Sequence, residues 1–216
     1  MPVYREIDIE NWRRREWFEH YRHSVPCTYA ITVELDVTAF AQTLAASPRS
    51  TYLAQVWAIA AAVNRRDEFR MTLTDAGRPA VWEVVHPMFT VFHPEDETFS
   101  AVWAPFDADF ARFHENAERA VAATRRATTM FPQPDVPPNT FDVSSVPWTS
   151  FTGFSLQVRD GFDHLAPIFT IGRYVERGRH RVMPIAVQMH HAAADGFHTS
   201  LMLDDLQRLL AEPDWI

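Results

Sequence analysis

The pattern of apolar and polar residues divides the chain into a few helices and many short strands. Aromatic residues recur at roughly helical spacing among the charges of residues 10–21, which predicts an amphipathic helix that Pro26 ends. Residues 52–63 are too few to span a bilayer and too apolar for a surface helix, so we expect a buried helix. Further helices are predicted at residues 109–127 and 197–210, and Asp36 is a candidate cap for a short helix.

Strands are predicted where threonine, aromatic and branched residues gather between turn-forming residues. Asp75 and Gly77 suit a hairpin, and Arg177-Gly178 suits a second turn. Four prolines lie within residues 131–141, and we expect an ordered loop there because no domain-sized change in composition follows. The predicted strands are residues 27–35, 69–74, 80–85, 89–93, 99–103, 151–158, 169–176 and 181–189.

Helices interspersed with hairpins predict an α/β protein, a two-layer α/β sandwich with a mixed β-sheet, rather than a strictly alternating parallel fold. The length of 216 residues fits one domain spanning residues 1–216 better than two small ones. The sequence contains no internal repeat, P-loop or GxGxxG motif.

Composition narrows the classes of function. A net charge of -8 argues against a nucleic-acid-binding surface. Cys27 is the only cysteine, which excludes an intrachain disulfide and any metal site built from several thiolates. The N-terminal residues are charged throughout and lack the apolar segment of a signal peptide or membrane span, so we expect a cytoplasmic protein without nucleic-acid or membrane partners.

Reactive side chains are densest in QMHHAAADGFH, residues 188–198, where a predicted strand ends. A neutral imidazole accepts a proton near pH 7, so His191 is a candidate general base, with a satisfied structural histidine as the alternative. Only one of the adjacent residues His190 and His191 is expected to face the site, because strand side chains alternate. A metal reading could also enlist Asp195 and His198, but no HExxH or cysteine pair accompanies them, and we expect no metal.

Two nucleophile mechanisms have weaker support. A serine hydrolase would need a GxSxG elbow, which the chain lacks. A covalent role for Cys27 would need a partner that stabilises the thiolate, and without one a small buried residue is the simpler interpretation.

The segment HHAAADGFH resembles the HHxxxDG motif of CoA-dependent acyltransferases in the form found in chloramphenicol acetyltransferases. Dihydrolipoyl acyltransferases and peptide-synthetase condensation domains share that short motif, so more of the chain is needed to choose. The further matches are NWRRREWFEHYRHSVPC, NRRDEFRM, FTVFHPEDETFS, FPQ, SSVPWTSF and APIFTIGRY, in family order and spacing. The resemblance covers essentially the whole chain and implies a homotrimer with active sites between subunits and acetyl-CoA as co-substrate.

By this resemblance, His191 removes a proton from a substrate hydroxyl, which attacks the acetyl thioester directly. Ser144 would donate a hydrogen bond to the oxyanion and Thr170 would assist through water, although a loop serine and an ordinary strand threonine are the alternatives. Asp195 would pair with Arg14 and support the site rather than form a triad with His191. A solvated helical charge is the alternative for Arg14.

The resemblance also supplies binding residues. Trp148, Arg173 and Tyr174 would line the CoA side, with core packing and surface charge as alternatives. The expected acceptor pocket is apolar and aromatic, although each member suits ordinary core packing equally well; its residues are Tyr21, Cys27, Phe99, Phe131, Phe154, Leu156, Val158 and Ile168.

Three departures from the family pattern lie near the expected acceptor side. Met88 stands where glutamine is common, Asp142 where asparagine is common and His164 where tyrosine is common. The leading hypothesis is acetylation of the primary hydroxyl of chloramphenicol, which inactivates the antibiotic. The alternatives are O-acetylation of another hydroxylated small molecule and a noncatalytic drug-binding trimer.

Overall fold

The computed structural model describes residues 2–156 and 163–216. Over those residues, runs of consecutive strands are interspersed with helices, as the hydrophobic pattern indicates. In chain order they are β1 (Tyr4–Glu6), α1 (Arg15–Glu19), β2 (Thr28–Asp36), α2 (Thr38–Ala45), α3 (Thr51–Asn64), β3 (Met71–Leu73), β4 (Pro79–Trp82), β5 (His86–His93), β6 (Thr98–Trp103), α4 (Phe110–Thr124), β7 (Thr140–Val146), β8 (Ile168–Gly172), β9 (Val175–Arg177), β10 (His180–His190) and α5 (Gly196–Ala211).

The main sheet has the strand order β2-β10-β8-β7-β5-β6, with β9 paired to β10. The β5–β7 and β7–β8 pairs are parallel, whereas β2–β10, β10–β8 and β5–β6 are antiparallel. A smaller sheet joins β1, β4 and β3. The predicted α/β fold with a mixed sheet is confirmed.

Helices cover one face of the main sheet. Helix α3 packs against α4, α5 and strand β5 and is buried along most of its length, as its apolar sequence predicts. Phe89, Phe169 and Ile185 extend from three strands into this layer and are fully buried. Each such side chain contributes about 1.5–3 kcal/mol relative to an exposed one.

The other face carries the residues that alternate with this core. Strand register aligns Met88 with Asp142, Asp142 with Ile168, and Ile168 with Gln188, in a line across four strands that we call the cross-sheet row. The fold thus separates an apolar core face from a more polar face.

The strand predicted at residues 151–158 is wrong for residues 151–156, and residues 157 and 158 lie outside the described part. Residues 151–156 lie over the polar face of the main sheet and outside its ladder, and the strand that they cross, β10, already pairs with β2 and β8 on its two sides. Side chains hold the segment instead: Thr32 Oγ1 accepts from Phe154 N at 3.3 Å, and Gln188 Oε1 accepts from Leu156 N at 2.9 Å.

Gly172 accommodates this crossing segment. A Cβ added at residue 172 would lie 2.8 Å from a ring carbon of Phe151 and 2.8 Å from Pro184 Cγ. Any larger residue would therefore require the Phe151 ring and the Pro184 ring to shift.

Other boundaries differ modestly from the prediction. The helix predicted at residues 10–21 begins later, at Arg15, and α1 is followed directly by a π-helical segment over His20–Ser24. Strands β1 and β7 were not predicted. In the described part of the chain, every helix is too short or too polar to cross a bilayer.

Candidate active site

His190 and His191 stand at the end of β10 but have different surroundings. His190 is the last strand residue, is 3% exposed, and its Nδ1 accepts from Ala192 N at 3.2 Å. His191 is half-buried, and its backbone N donates to Cys27 O at 3.0 Å. The divergence expected of adjacent strand residues therefore leaves His191 as the reactive candidate.

Two tyrosines enclose the His191 ring. Tyr21 stacks on it with 3.7 Å between ring centroids and 7° between planes, and Tyr29 meets it edge-on at 5.1 Å. Its Nδ1 is buried and has no hydrogen-bond partner in the described part of the chain. Nε2 is consequently the nitrogen available to an incoming proton donor.

Asp195 caps helix α5 and is occupied away from His191. Its carboxylate accepts from Arg14 Nη1 at 2.8 Å and from Phe197 N at 3.0 Å, and it also contacts the His198 ring. Burial acts to raise the pKa of Asp195, but the hydrogen bond from Arg14 and the nearby positive charges hold it below its ordinary value. The predicted contact between Arg14 and Asp195 is present, and Asp195 acts here as a helix cap.

Ser144 lies on β7 rather than in a loop. Register aligns it with Thr170 on the parallel strand β8, so the two residues expected near the oxyanion are direct neighbours. Both alternate with core residues and belong to the polar face of the sheet. Sequence reasoning missed this strand because serine and aspartate interrupt it, although Phe141 and Val143 alternate with them.

Register also separates this pair from His191 within one chain. Thr170 aligns with Ala186 on β10, and His191 lies five residues further along. At the usual rise per strand residue, the separation is about 17 Å. One chain alone therefore does not bring the imidazole to Ser144 and Thr170.

The expected acceptor residues fall into two groups. Tyr21 and Cys27 lie beside His191, where burial raises the pKa of the Cys27 thiol and so disfavours a thiolate. Phe154, Leu156 and Ile168 line a narrow cleft together with Thr170 and Gln188. Phe99 and Phe131 are exposed on β6 and the loop beyond α4, and Val158 lies outside the described residues.

A cavity of about 850 Å³ opens between the sheet and helices α3 and α4. All three residues expected on the CoA side, Trp148, Arg173 and Tyr174, line it, together with Ser145, which follows Ser144. Gln55, which sequence reasoning missed, is buried in the same wall and donates to Tyr174 Oη at 2.7 Å. Burial raises the pKa of Tyr174 to about 12, so its phenol stays neutral.

The departures Met88 and Asp142 both lie in the cross-sheet row, and His164 stands beside them. His164 Nε2 lies 3.6 Å from an Asp142 carboxylate oxygen. Burial raises the pKa of Asp142 and lowers the pKa of His164, while their mutual attraction opposes both shifts. Burial at this pair therefore disfavours the charged forms of both side chains.

A metal centre needs several ligating side chains close together. Across residues 2–156 and 163–216, no three or more His, Cys, Asp and Glu side chains are grouped to hold a metal ion.

Comparison with known proteins gives a consistent result over nearly the whole chain. A family profile described as chloramphenicol acetyltransferase matches residues 2–207. The chain is 61% identical to a chloramphenicol acetyltransferase of Streptomyces acrimycini, over 100% of this chain and 98% of that protein. It is 42% identical to one of Campylobacter coli, over 95% and 97%. A solved chloramphenicol acetyltransferase superposes with a TM-score of 0.85 at 25% identity, over 96% and 100%.

Proposed function

We propose that this chain, which belongs to the chloramphenicol acetyltransferase family, transfers the acetyl group of acetyl-CoA to the primary hydroxyl of chloramphenicol. The observation that carries the proposal is the His191 ring, enclosed by two tyrosines with Nδ1 buried and Nε2 left for the substrate. We also propose that residues 1–216 act as a single domain.

The reaction then follows from general base chemistry. Nε2 of His191 takes the proton of the hydroxyl as its oxygen forms a bond to the thioester carbonyl carbon. The tetrahedral intermediate collapses by breaking the carbon–sulfur bond, and the CoA sulfur leaves with the proton that His191 returns. No acyl-enzyme forms, and no side chain changes covalently over the cycle.

Ser144 and Thr170 would stabilise the negative oxygen of this intermediate. Their alignment on adjacent parallel strands gives two hydroxyls at one point of the sheet. A fixed donor at a developing oxyanion lowers the barrier by about 3 kcal/mol.

The cavity between the sheet and α3 suits acetyl-CoA. Its volume of about 850 Å³ and its aromatic residue Trp148 fit a long ligand that carries an adenine. Arg125 and Arg173 also line it, and neither forms an ion pair with another described residue. They are therefore free to meet phosphate groups.

A second copy of the chain would complete the site. The register places Ser144 and Thr170 about 17 Å from His191 within one chain, which is too far for one intermediate to contact both. In a homotrimer with sites between subunits, His191 of one copy would face Ser144 and Thr170 of the next. Asp195 and Arg14 would support the histidine side of that interface.

The first test is an assay for thiol release. Purified protein with acetyl-CoA and chloramphenicol is expected to release free CoA only when the acceptor is present, with one acetyl ester formed per thiol. His191→Ala should lower kcat by about 10³-fold or more. His180→Ala, at the exposed start of the same strand, is the matched control and should retain activity.

The pairing of Asp142 with His164 favours one second candidate, acetyl transfer to another hydroxylated small molecule. The same assay separates the two. No thiol release with chloramphenicol from folded protein, but release with another alcohol, would keep the chemistry and change the acceptor. Retained release in His191→Ala would refute the proposed base.

A further inference from the structure

Tyr29 and Thr199 share a hydrogen bond in which either hydroxyl can donate. Their oxygens lie 2.7 Å apart, joining strand β2 to the first turn of α5. Thr199 is fully buried and Tyr29 is half-buried, so water competes little for this bond. Burial raises the pKa of Tyr29 to about 12, which keeps the phenol protonated.

The His191 ring needs such support from packing. Its Nδ1 has no hydrogen-bond partner among the described residues, whereas catalytic imidazoles are often held through that nitrogen. Tyr21 covers one face at 3.7 Å, and the Tyr29 ring meets it at 66°. A stack alone permits rotation in its own plane, and an edge-on neighbour opposes that rotation.

The hydrogen bond between Tyr29 and Thr199 also links the surroundings of His191 to the Arg14–Asp195 pair. Thr199 N donates to Asp195 O at 3.0 Å, and the Asp195 carboxylate accepts from Arg14. A continuous set of contacts therefore runs from Arg14 through Asp195, Thr199 and Tyr29 to the imidazole.

We propose that Tyr29 and Thr199 form a positioning pair that fixes the orientation of the His191 ring beneath Tyr21 and transmits to it the support of Arg14 and Asp195. The pair does not touch substrate. This inference rests on the proposed role of His191 as base, and it adds two residues to the machinery of the reaction.

The test compares Tyr29→Phe, Thr199→Val and the double variant by steady-state kinetics. Each single change removes one hydroxyl and should lower kcat about fivefold to tenfold with little change in KM for either substrate. The double variant should lose no more than the worse single variant, because both changes break one bond. Thr199→Ser keeps the oxygen and should restore most of the activity.

Matched controls separate positioning from general destabilisation. Thr124→Val makes the same change at a buried threonine of α4, where Oγ1 donates to Ala120 O at 2.9 Å, and it should keep the wild-type kcat. Carbon-13 NMR relaxation of the His191 ring, assigned by its loss in His191→Ala, should report a rigid ring in the wild type and added motion in Tyr29→Phe.

The outcomes are distinguishable. An inactive wild type would overturn the proposed function, and the NMR comparison would then still test the positioning pair. Active variants with unchanged kcat and ring signals would overturn the inference, as would single losses that multiply in the double variant. A loss expressed only in KM would also contradict it.

Discussion

The His191 cluster, comprising Tyr21, Tyr29, His191, Asp195 and Thr199, and the cross-sheet row are built in different ways. In the cluster, contacts join several elements: Tyr21 stacks on the His191 ring, Tyr29 bonds to Thr199 of α5, and Asp195 caps α5 while it pairs with Arg14. In the row, strand register alone sets each position, and side chains stand beside each other without a shared network.

This difference predicts which residues tolerate substitution without loss of the fold or of the position of the imidazole, and which do not. A substitution in the cluster breaks contacts between elements and moves the imidazole, so it should affect kcat and stability together. A substitution in the row leaves the backbone pairing of the sheet intact and, under the proposed function, alters the surface that the acceptor meets; at Gln188 it also removes the contact to Leu156 N. The departures at Met88 and Asp142 both fall in the row, which fits this division.

The largest expected effect tests whether the His191 cluster and Ser144, which lies two residues beyond the row's Asp142 on β7, belong to different copies of one site. His191→Ala and Ser144→Ala homomers should each lose activity, by about 10³-fold and about 10²-fold respectively. Coexpressed variants should regain a substantial share, because some mixed interfaces pair an intact His191 with an intact Ser144.

The control for this complementation is mixing the two purified variants without subunit exchange, which should restore nothing. Coexpression without recovery, despite mixed assemblies detected by two affinity tags, would place both residues in one chain's site.

A smaller effect is expected where the cluster meets α5. Asp195→Asn weakens both the cap and the pair with Arg14, and it should cost about 1–3 kcal/mol of unfolding free energy and about tenfold in kcat. Chemical unfolding measures the loss of stability, and the thiol-release assay measures the loss of kcat. Asp204→Asn, an exposed change in the same helix, is the control, and equal behaviour of the two variants would contradict the role of Asp195.

Asp142→Asn should have a still smaller and opposite effect. Burial raises the pKa of Asp142, so a bound acceptor that covers the carboxylate further opposes its charge. The neutral amide should lower KM for chloramphenicol by about fivefold or less, with KM for acetyl-CoA unchanged. A raised KM would instead indicate that the carboxylate accepts a hydrogen bond from the acceptor.

The smallest effect is pH dependence from the Arg14–Asp195 pair. The folded-state pKa of Asp195 is below its ordinary value, so its stabilisation is present above about pH 4 and is lost as pH falls through the folded pKa. Between pH 7 and pH 3, the wild type should lose more stability than Asp195→Asn. Parallel pH profiles of urea unfolding midpoints would argue against this contribution.

Sequence patterns predicted elements whose apolar residues follow one period. Helix α3, strand β10 and helix α5 were each predicted to within one residue at both ends. The polar residues of β7 concealed it, and residues 151–156 looked like a strand although they cross β10, which already pairs with β2 and β8 on both sides. Local pattern predicts propensity, whereas pairing depends on which edges the rest of the chain leaves open.

The site residues divide in the same way, into those that a local sequence pattern indicates and those that only tertiary contacts reveal. His191 and the Arg14–Asp195 contact followed from the motif and its resemblance, because these residues lie in short recognisable segments. Tyr29 and Thr199 stand 170 positions apart, and nothing local in either segment indicates their hydrogen bond. Gln55 was hidden for a similar reason, since it lies in a helix whose composition suggests only core packing.

The position of β10 has a consequence for how the protein is made. This strand lies between β2 and β8, yet it follows both in the chain, so β2 has no partner in the main sheet until residues 180–190 have left the ribosome. Such long-range pairing slows folding and leaves an open edge on the nascent chain in the meantime. His191 immediately follows that final strand. The emerging polypeptide therefore acquires this proposed base only as β10 becomes able to pair with β2 and β8.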